Sequence, residues 1–423
     1  MIDENLLSFI WSHRLLPQIT ITADDNPVEI INPGLLNTNQ GPDFLNAKIV
    51  IDKTLWVGNV EIHVKSSDWY LHFHQIDVNF SNVICHVVWK NDAQVFYTDG
   101  RRIPTIELSK QIPHYLIDNF ESLMKSQNRI PCIKLIRDVP LHIVYNMLEC
   151  CYIESLKVKL SKIDETTNER HGNFDEVAYN VIVRNFGFKI NNDAFEATAK
   201  SLPYNILRRY VNNSLAIEAL TFGQAGILSE SYKDNYPKLL MKEYSYYAAK
   251  HHLRPQISAK WNLLRLHASN FPCIRIAQLC AFINNAFDGL DTILSLRNIH
   301  DVCALFEGEV NKYWNTHSMF DRTCSSRNSN IGKSSIYLIA INSFVPLMYY
   351  YGQKFSLPQI TSTALNMMEN IPAENNNIIR LWKSLDIKAL NALHSQALIF
   401  LKQYYCDRHR CLACKIGSKI IRS

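Results

Sequence analysis

Glycine and proline are scarce in this sequence, 13 and 15 among 423 residues. That scarcity excludes a collagenous repeat and long flexible linkers, so the domains are expected to pack closely. No period of about 20 to 50 residues recurs, which argues against a solenoid. An apolar run long enough to span a membrane is missing too. The nearest candidate, 336–351, is short and is interrupted by Asn342, Ser343 and Pro346, so a buried helix is expected there. Met1-Ile2-Asp3-Glu4 opens no basic, then apolar, leader. A cytoplasmic protein without a membrane partner is the resulting expectation. Charge of one sign is also in short supply. With 44 basic and 39 acidic residues the net charge is +5, compatible with nucleic acid but far from a basic patch.

Several catalytic signatures are absent as well. There is no His-Glu-x-x-His and no Gly-x-Ser-x-Gly. Ile331-Gly332-Lys333-Ser334 has Arg327 where a phosphate-binding loop needs its first glycine. A helix start capped by Ser334 or Ser335 accounts for it. Gly223-Gln224-Ala225-Gly226 fits a turn or close helix packing better than a dinucleotide fingerprint.

What is present describes a globular chain: 47% hydrophobic, 20% charged and 11% aromatic. Its eleven cysteines are odd in number and unevenly spaced, as expected of reduced thiols. The texture divides near residue 110. An amphipathic helix is predicted over 4–16 from Leu7, Ile10, Trp11 and Leu15. Short β-prone runs follow at 28–31, 48–51, 56–57, 60–64 and 82–89, separated by turn residues. After Ile112 the helical period dominates, with faces such as Leu141, Val144, Leu148 and Cys151, and Trp261 with Leu264. The predicted class is α+β: a mixed α/β core over 1–110, a helical region over 111–403, and a basic cysteine-bearing tail over 404–423. The polar stretch 162–173 is expected to be a loop and a hinge.

The chemistry concentrates in the first part. Gly41-Pro42-Asp43-Phe44 precedes Glu61-Ile62-His63-Val64-Lys65. Alternation along a strand points Glu61, His63 and Lys65 to one face. Asp43 and Glu61 could hold Mg²⁺ through oxygen, with His63 or Lys65 handling an attacking water. A solvated edge strand would carry the same polar pattern. His63, His72, His74 and His86, with Asp68 and Asp77, could instead hold Zn²⁺ or another transition ion, although their spacing matches no standard zinc pattern. His86, inside an apolar run, is expected to be a hydrogen-bonded structural group.

These residues carry a resemblance. A helix bearing Glu4, a β-meander with Pro42-Asp43, and then Glu61-x-His63 resemble the PD-(D/E)xK nuclease superfamily. The resemblance implies an αβββαβ core, metal-ligand roles for Asp43 and Glu61, and an auxiliary role for Glu4. His63 stands where that superfamily has its lysine, with Lys65 one pleat further on. Over nearly its whole length the chain also resembles an uncharacterised bacterial family of unknown function. That resemblance is carried by Gly41–Phe44, Gly58–His63, Ser67-Asp68-Trp69, Ala219–Gly226, Pro372–Asn376 and Cys411–Gly417. The leading expectation is a metal-dependent phosphodiesterase acting on DNA or RNA. A catalytically inactive binding module for nucleic acid or protein, and a His/carboxylate metalloenzyme of another kind, stay open beside it.

A second candidate site closes the chain. Cys406, Cys411 and Cys414 include a Cys-x-x-Cys pair able to hold one Zn²⁺ from a single turn. His409 or a distant thiol such as Cys132, Cys273 or Cys324 could supply the fourth ligand. The trio also resembles that of nucleases stapled by an iron–sulfur cluster, with a different internal spacing, and this resemblance implies a cluster. Lys402, Arg408, Arg410 and Lys415 are expected to lower the pKa of these thiols.

Overall fold

A computed structural model describes residues 2–17, 20–228, 231–255, 260–264 and 266–423. The chain is α+β, an N-terminal mixed sheet followed by helices, and it divides into two compact units. The first comprises 1–149, 384–387 and 399–423; the second comprises 150–383 and 388–398.

In the first unit, helix α1 (Glu4–Ser12) begins at Asp3, whose carboxylate accepts a hydrogen bond from the Leu6 amide at 2.9 Å. The helix stops short of Leu16. Arg14 turns left-handed (φ 50°), and the Arg14 and Leu15 amides bond back to the Trp11 and Ile10 carbonyls, which closes the last turn. Leu6, Leu7, Ile10 and Trp11 are fully buried as α1 packs on the sheet. Seven strands form that sheet: β1 (Thr20–Ile21), β2 (Pro27–Asn32), β3 (Leu35–Leu36), β4 (Phe44–Ile51), β5 (Thr54–Lys65), β6 (Val83–Lys90) and β7 (Thr105–Glu107). Their order is β1-β2-β4-β5-β6-β7, with β3 also pairing β4. β2, β4 and β5 form an antiparallel meander, whereas β5–β6 and β6–β7 pair in parallel.

The two β-prone runs at 56–57 and 60–64 are one strand, β5. Gly58 permits this continuity, because a β-carbon there would meet the Ile84 side chain at 2.4 Å and the Asn82 carbonyl at 2.7 Å. Between β5 and β6 lie the short helix α2 (Asp68–Leu71) and two 3₁₀ turns. They are anchored on a small core of Trp69, Phe80, Val83, Val95 and Ile103. Helix α3 (His114–Met124) follows.

The second unit is almost wholly helical. Helix α4 (Leu141–Glu169), which belongs to the first unit up to Glu149 and to the second from Cys150, runs unbroken through most of the stretch expected to be a hinge. Its Thr166 and Thr167 hydroxyls bond to the Lys162 and Ile163 carbonyls at 2.8 Å, with Ile163 and Thr167 buried. The polar residues are therefore the exposed face of a helix, and the turn is confined to 170–173, where His171 and Gly172 take positive φ. Trp261, expected on a helical face, lies in a loop, where its indole donates to the Ala225 carbonyl at 2.9 Å. The helix expected to be capped by Ser334 or Ser335 is capped at Gly332 instead and starts at Lys333. Residues 333–354 form one helical run with a π turn at Ala340–Phe344, ahead of Pro346. Among the described residues no helix is long and apolar enough to cross a membrane.

Gly223 ends a further helix, α5 (Ser214–Gln224), that packs on α6 (Asn235–His251). A β-carbon at Gly223 would meet the Tyr244 ring at 2.1–2.4 Å. Overpacking of this kind costs roughly 1–3 kcal/mol. The Gly223→Ala variant should lower the denaturant midpoint accordingly; an unchanged midpoint would show that the ring moves aside without cost.

Candidate metal centre

The start of β4 and the middle of β5 are locked to each other through side chains. Gly41 takes φ 107° to turn the chain, and the Asn37 side-chain amide donates to the Pro42 carbonyl at 3.0 Å. Asp43 then exchanges bonds with its neighbour strand. The Asp43 amide donates to Glu61 Oε2 at 3.1 Å, and the Ile62 amide donates to Asp43 Oδ2 at 2.9 Å. Both carboxylates line one cleft, together with Glu4 from α1, His63, His72 and His74.

The histidines arrive from three directions. His63 is on β5, and His86 comes from β6, whose register sets it directly beside Glu61. His72 caps α2, and Phe73 then adopts a left-handed conformation (φ 60°) before the 3₁₀ turn that starts at His74. An aromatic residue in that region is strained and needs its surroundings to hold it. Ser66 and Ser67 fix the start of this connection by hydrogen bonds to Asp92, and the Lys65 amide donates to Asp68 Oδ2. As a result, donor nitrogens of His63, His72 and His74 all lie within 4.8 Å of one another. Glu61 Oε1 sits 3.5 Å from His63 Nε2 and 3.3 Å from His74 Nε2. His63 Nε2 is also 3.1 Å from His72 Nδ1, and its Nδ1 is 2.8 Å from His86 Nε2.

Burial sets the electrostatics. Glu61 is 6% exposed, His63 2% and His86 0%. Desolvation pushes the Glu61 carboxyl up to about 7, against a hydrogen bond from His74, with Asp43 adding to the rise. The same burial, joined by His74 and His72, pulls His63 down to about 3. His63 is therefore a neutral imidazole, the form that binds a metal, and a poor proton acceptor. His86, far below its ordinary range for the same reason, orients the His63 ring and leaves Nε2 facing the cleft. Asp43 and Glu4 are both raised by burial, Glu4 also by Asp43.

The structure thus brings Asp43, Glu61 and His63 together, adds His72 and His74, and leaves Lys65 out. Lys65 is exposed at the end of β5 and does not line the cleft. Cys406, Cys411 and Cys414 form a separate cluster with Cys132, while Cys273 and Cys324 belong to the second unit. The expected lowering of the thiol pKa values is overturned: burial raises all four. The basic side chains are engaged elsewhere. Arg408 and Arg410 stack over Tyr404 and Tyr405, Lys402 pairs with Asp407, and Lys415 bonds to Asn146. The one relation that sequence spacing could not supply is the Phe73 reversal, after which His72 meets His63 and His74 meets Glu61.

The fold and the cleft define an α+β protein with a buried His/carboxylate cluster at one end of a mixed sheet. Residues 4–377 match the family described as "Protein of unknown function (DUF2851)", and the chain belongs to that family. No curated protein and no solved structure matches it.

A divalent ion would compete with a proton for Glu61. Apparent affinity for Mn²⁺ or Zn²⁺ should fall as the pH drops through about 7, with proton release on binding seen by calorimetry in buffers of different ionisation enthalpy. In chelator, the raised carboxyl stabilises the fold fully below its ordinary 4.5, and that contribution is lost as pH rises through about 7. The melting temperature of Glu61→Gln should accordingly gain on the wild type as pH rises through that window. A constant difference would remove Glu61 as the titrating group.

Proposed function

We propose that this protein is a metal-dependent phosphodiesterase acting on DNA or RNA, with its active site at the Glu61 cleft. The observation that carries the reading is the convergence of Asp43, Glu61 and three imidazoles at the β4–β5 edge, beside Glu4 of α1. The element order supports it: α1, then an antiparallel meander of β2, β4 and β5, then α2 and the parallel strand β6, with Asp43 just ahead of β4 and Glu61 on β5.

The donors fit a cation. His63, His72, His74 and Glu61 would hold it, with Asp43 at the same cleft. Mixed imidazole and carboxylate donors suit Mn²⁺, Fe²⁺ or Zn²⁺ better than Mg²⁺, which prefers oxygen alone. When bound, such an ion supplies charge stabilisation for the phosphoryl oxygens and a more acidic water. The chain's own groups do the rest. Asp43, held by the Ile62 amide, keeps Glu61 in register through its own amide. His86 fixes the ring of His63. Glu4, exposed at the cleft and with its proton affinity raised, takes the proton of the attacking water. Asn39, Gln40 and Asn79 on the cleft wall supply hydrogen bonds to a phosphate or sugar.

Three imidazoles beside one carboxylate favour a second reading, a metalloenzyme acting on some other substrate. Cleavage assays on single- and double-stranded DNA and RNA with Mn²⁺, Zn²⁺ and Mg²⁺ decide between them. Strand cleavage should need Mn²⁺ or Zn²⁺ and be abolished by Asp43→Asn and by Glu61→Gln. His86→Phe should weaken metal affinity roughly 10–100-fold while leaving the ligands in place. Wild-type protein that loads metal yet cleaves none of these substrates would overturn the nuclease reading; nucleic-acid binding without cleavage would point to an inactive binding module.

A further inference from the structure

Outside the cleft, the first unit also gathers four thiols, those of Cys132, Cys406, Cys411 and Cys414. Cys132 lies between α3 and α4, in a turn where the Leu135 and Ile136 amides both donate to its carbonyl at 2.9 Å. The last residues of the chain return to this segment. His409 Nε2 bonds the Ser126 carbonyl at 3.0 Å, the Asn119 side-chain amide donates to the Ile420 carbonyl at 3.2 Å, and Lys415 Nζ donates to Asn146 Oδ1 at 2.9 Å. That docking buries Cys132, Cys406, Cys411 and Cys414 to between 7% and 9% exposure. All four are free thiols.

We infer that Cys132, Cys406, Cys411 and Cys414 form a four-thiolate metal centre that fastens the C-terminal segment to the chain between α3 and α4. The geometry selects Cys132 as the fourth ligand and removes His409, whose Nε2 donates to a backbone carbonyl. Cys406 lies within electrostatic reach of the other three, and Cys132 within reach of Cys411 and Cys414. The Ile416 and Gly417 amides point at the Cys414 sulfur, the kind of N–H···S contact that stabilises a thiolate ligand. Gly417 is required for the fit, since a β-carbon there would meet the Cys411 carbonyl oxygen at 2.3 Å.

Four thiolates buried together are stable only with a cation among them. Thiolates select Zn²⁺ or an iron–sulfur cluster. The four sulfurs are spread more widely than the imidazole nitrogens of the cleft, which all lie within 4.8 Å of one another. A cluster, in which each thiolate binds a different iron, uses such a spacing better than one ion does. This inference is independent of the nuclease reading.

The test is metal analysis of the full-length protein purified without oxygen or chelator. Iron and acid-labile sulfide in equal amounts, with the visible absorption of a cluster, identify the cluster. Zinc near one per chain, replaceable by Co²⁺ with thiolate charge-transfer bands, identifies a single ion at the same four sulfurs. Cys132→Ser should lose either signature, whereas His409→Ala and the cleft variant His72→Ala should keep it. Wild-type protein carrying neither thiolate-bound zinc nor iron with sulfide overturns the inference, whatever the folding of the variants. So does a Cys132→Ser protein that retains the full signature.

Discussion

Parallel pairing of β5 with β6 is the constraint on which the first unit depends. Antiparallel neighbours can be joined by a tight turn, but a parallel pair needs a crossover of a dozen or more residues. Here that crossover is the segment between Lys65 and Val83, and it carries His72 and His74. The register of the same pairing sets His86 beside Glu61. Ser66, Ser67 and Asp92 tie the ends of the two strands together, and the Trp69 and Phe80 core holds the crossover down. A sheet that stayed antiparallel at this point would keep Asp43 and Glu61 and lose two of the three imidazoles.

Burial then gives the cluster its character. A carboxylate and three imidazoles near one another would, in water, settle into ordinary ionisation states. Desolvation instead favours the neutral form of each buried member, raising Glu61 and lowering His63 and His86 together. Neither shift helps the metal-free fold at neutral pH, where part of the Glu61 population must ionise in a poor environment. A cation reverses the balance, because it stabilises the carboxylate and uses the neutral imidazoles as they are. The thiol cluster follows the same rule with sulfur in place of nitrogen and oxygen.

Much of this architecture is legible in the sequence, for reasons that can be named. Strands β2, β4, β5 and β6 declare themselves through β-branched alternation between turn residues. Asp43, just ahead of β4, and Glu61 and His63 on β5 are close in the sequence and on neighbouring strands or their ends, so a short motif suffices to find them. Lys65 lies outside the cleft because alternation assigns a face but not a depth, and two residues beyond His63 the strand has reached solvent. His72 and His74 have no metal-like spacing, since a left-handed phenylalanine, uncommon for a bulky residue, brings them together. The polar face of α4 looks like a loop only when composition is read without its period. For the thiols, Cys-x-x-Cys is local and visible, but Cys132 is joined to it by tertiary contact alone.

The two clusters differ in the property that separates structural from reactive metal sites. Structural sites are closed by four protein ligands, whereas reactive ones keep a position open to water or substrate. The four cysteines are uniformly buried and come from two separate segments of the first unit. The histidine cluster is graded instead: His63 is buried, His74 half-buried and His72 exposed, along one wall of an open cleft. An ion held there would be anchored from the sheet side and approachable from solvent. The thiolates therefore suit a clip that maintains the fold, and the imidazoles and carboxylates suit chemistry on a ligand that enters from outside. That division follows from burial alone, before any substrate is assigned.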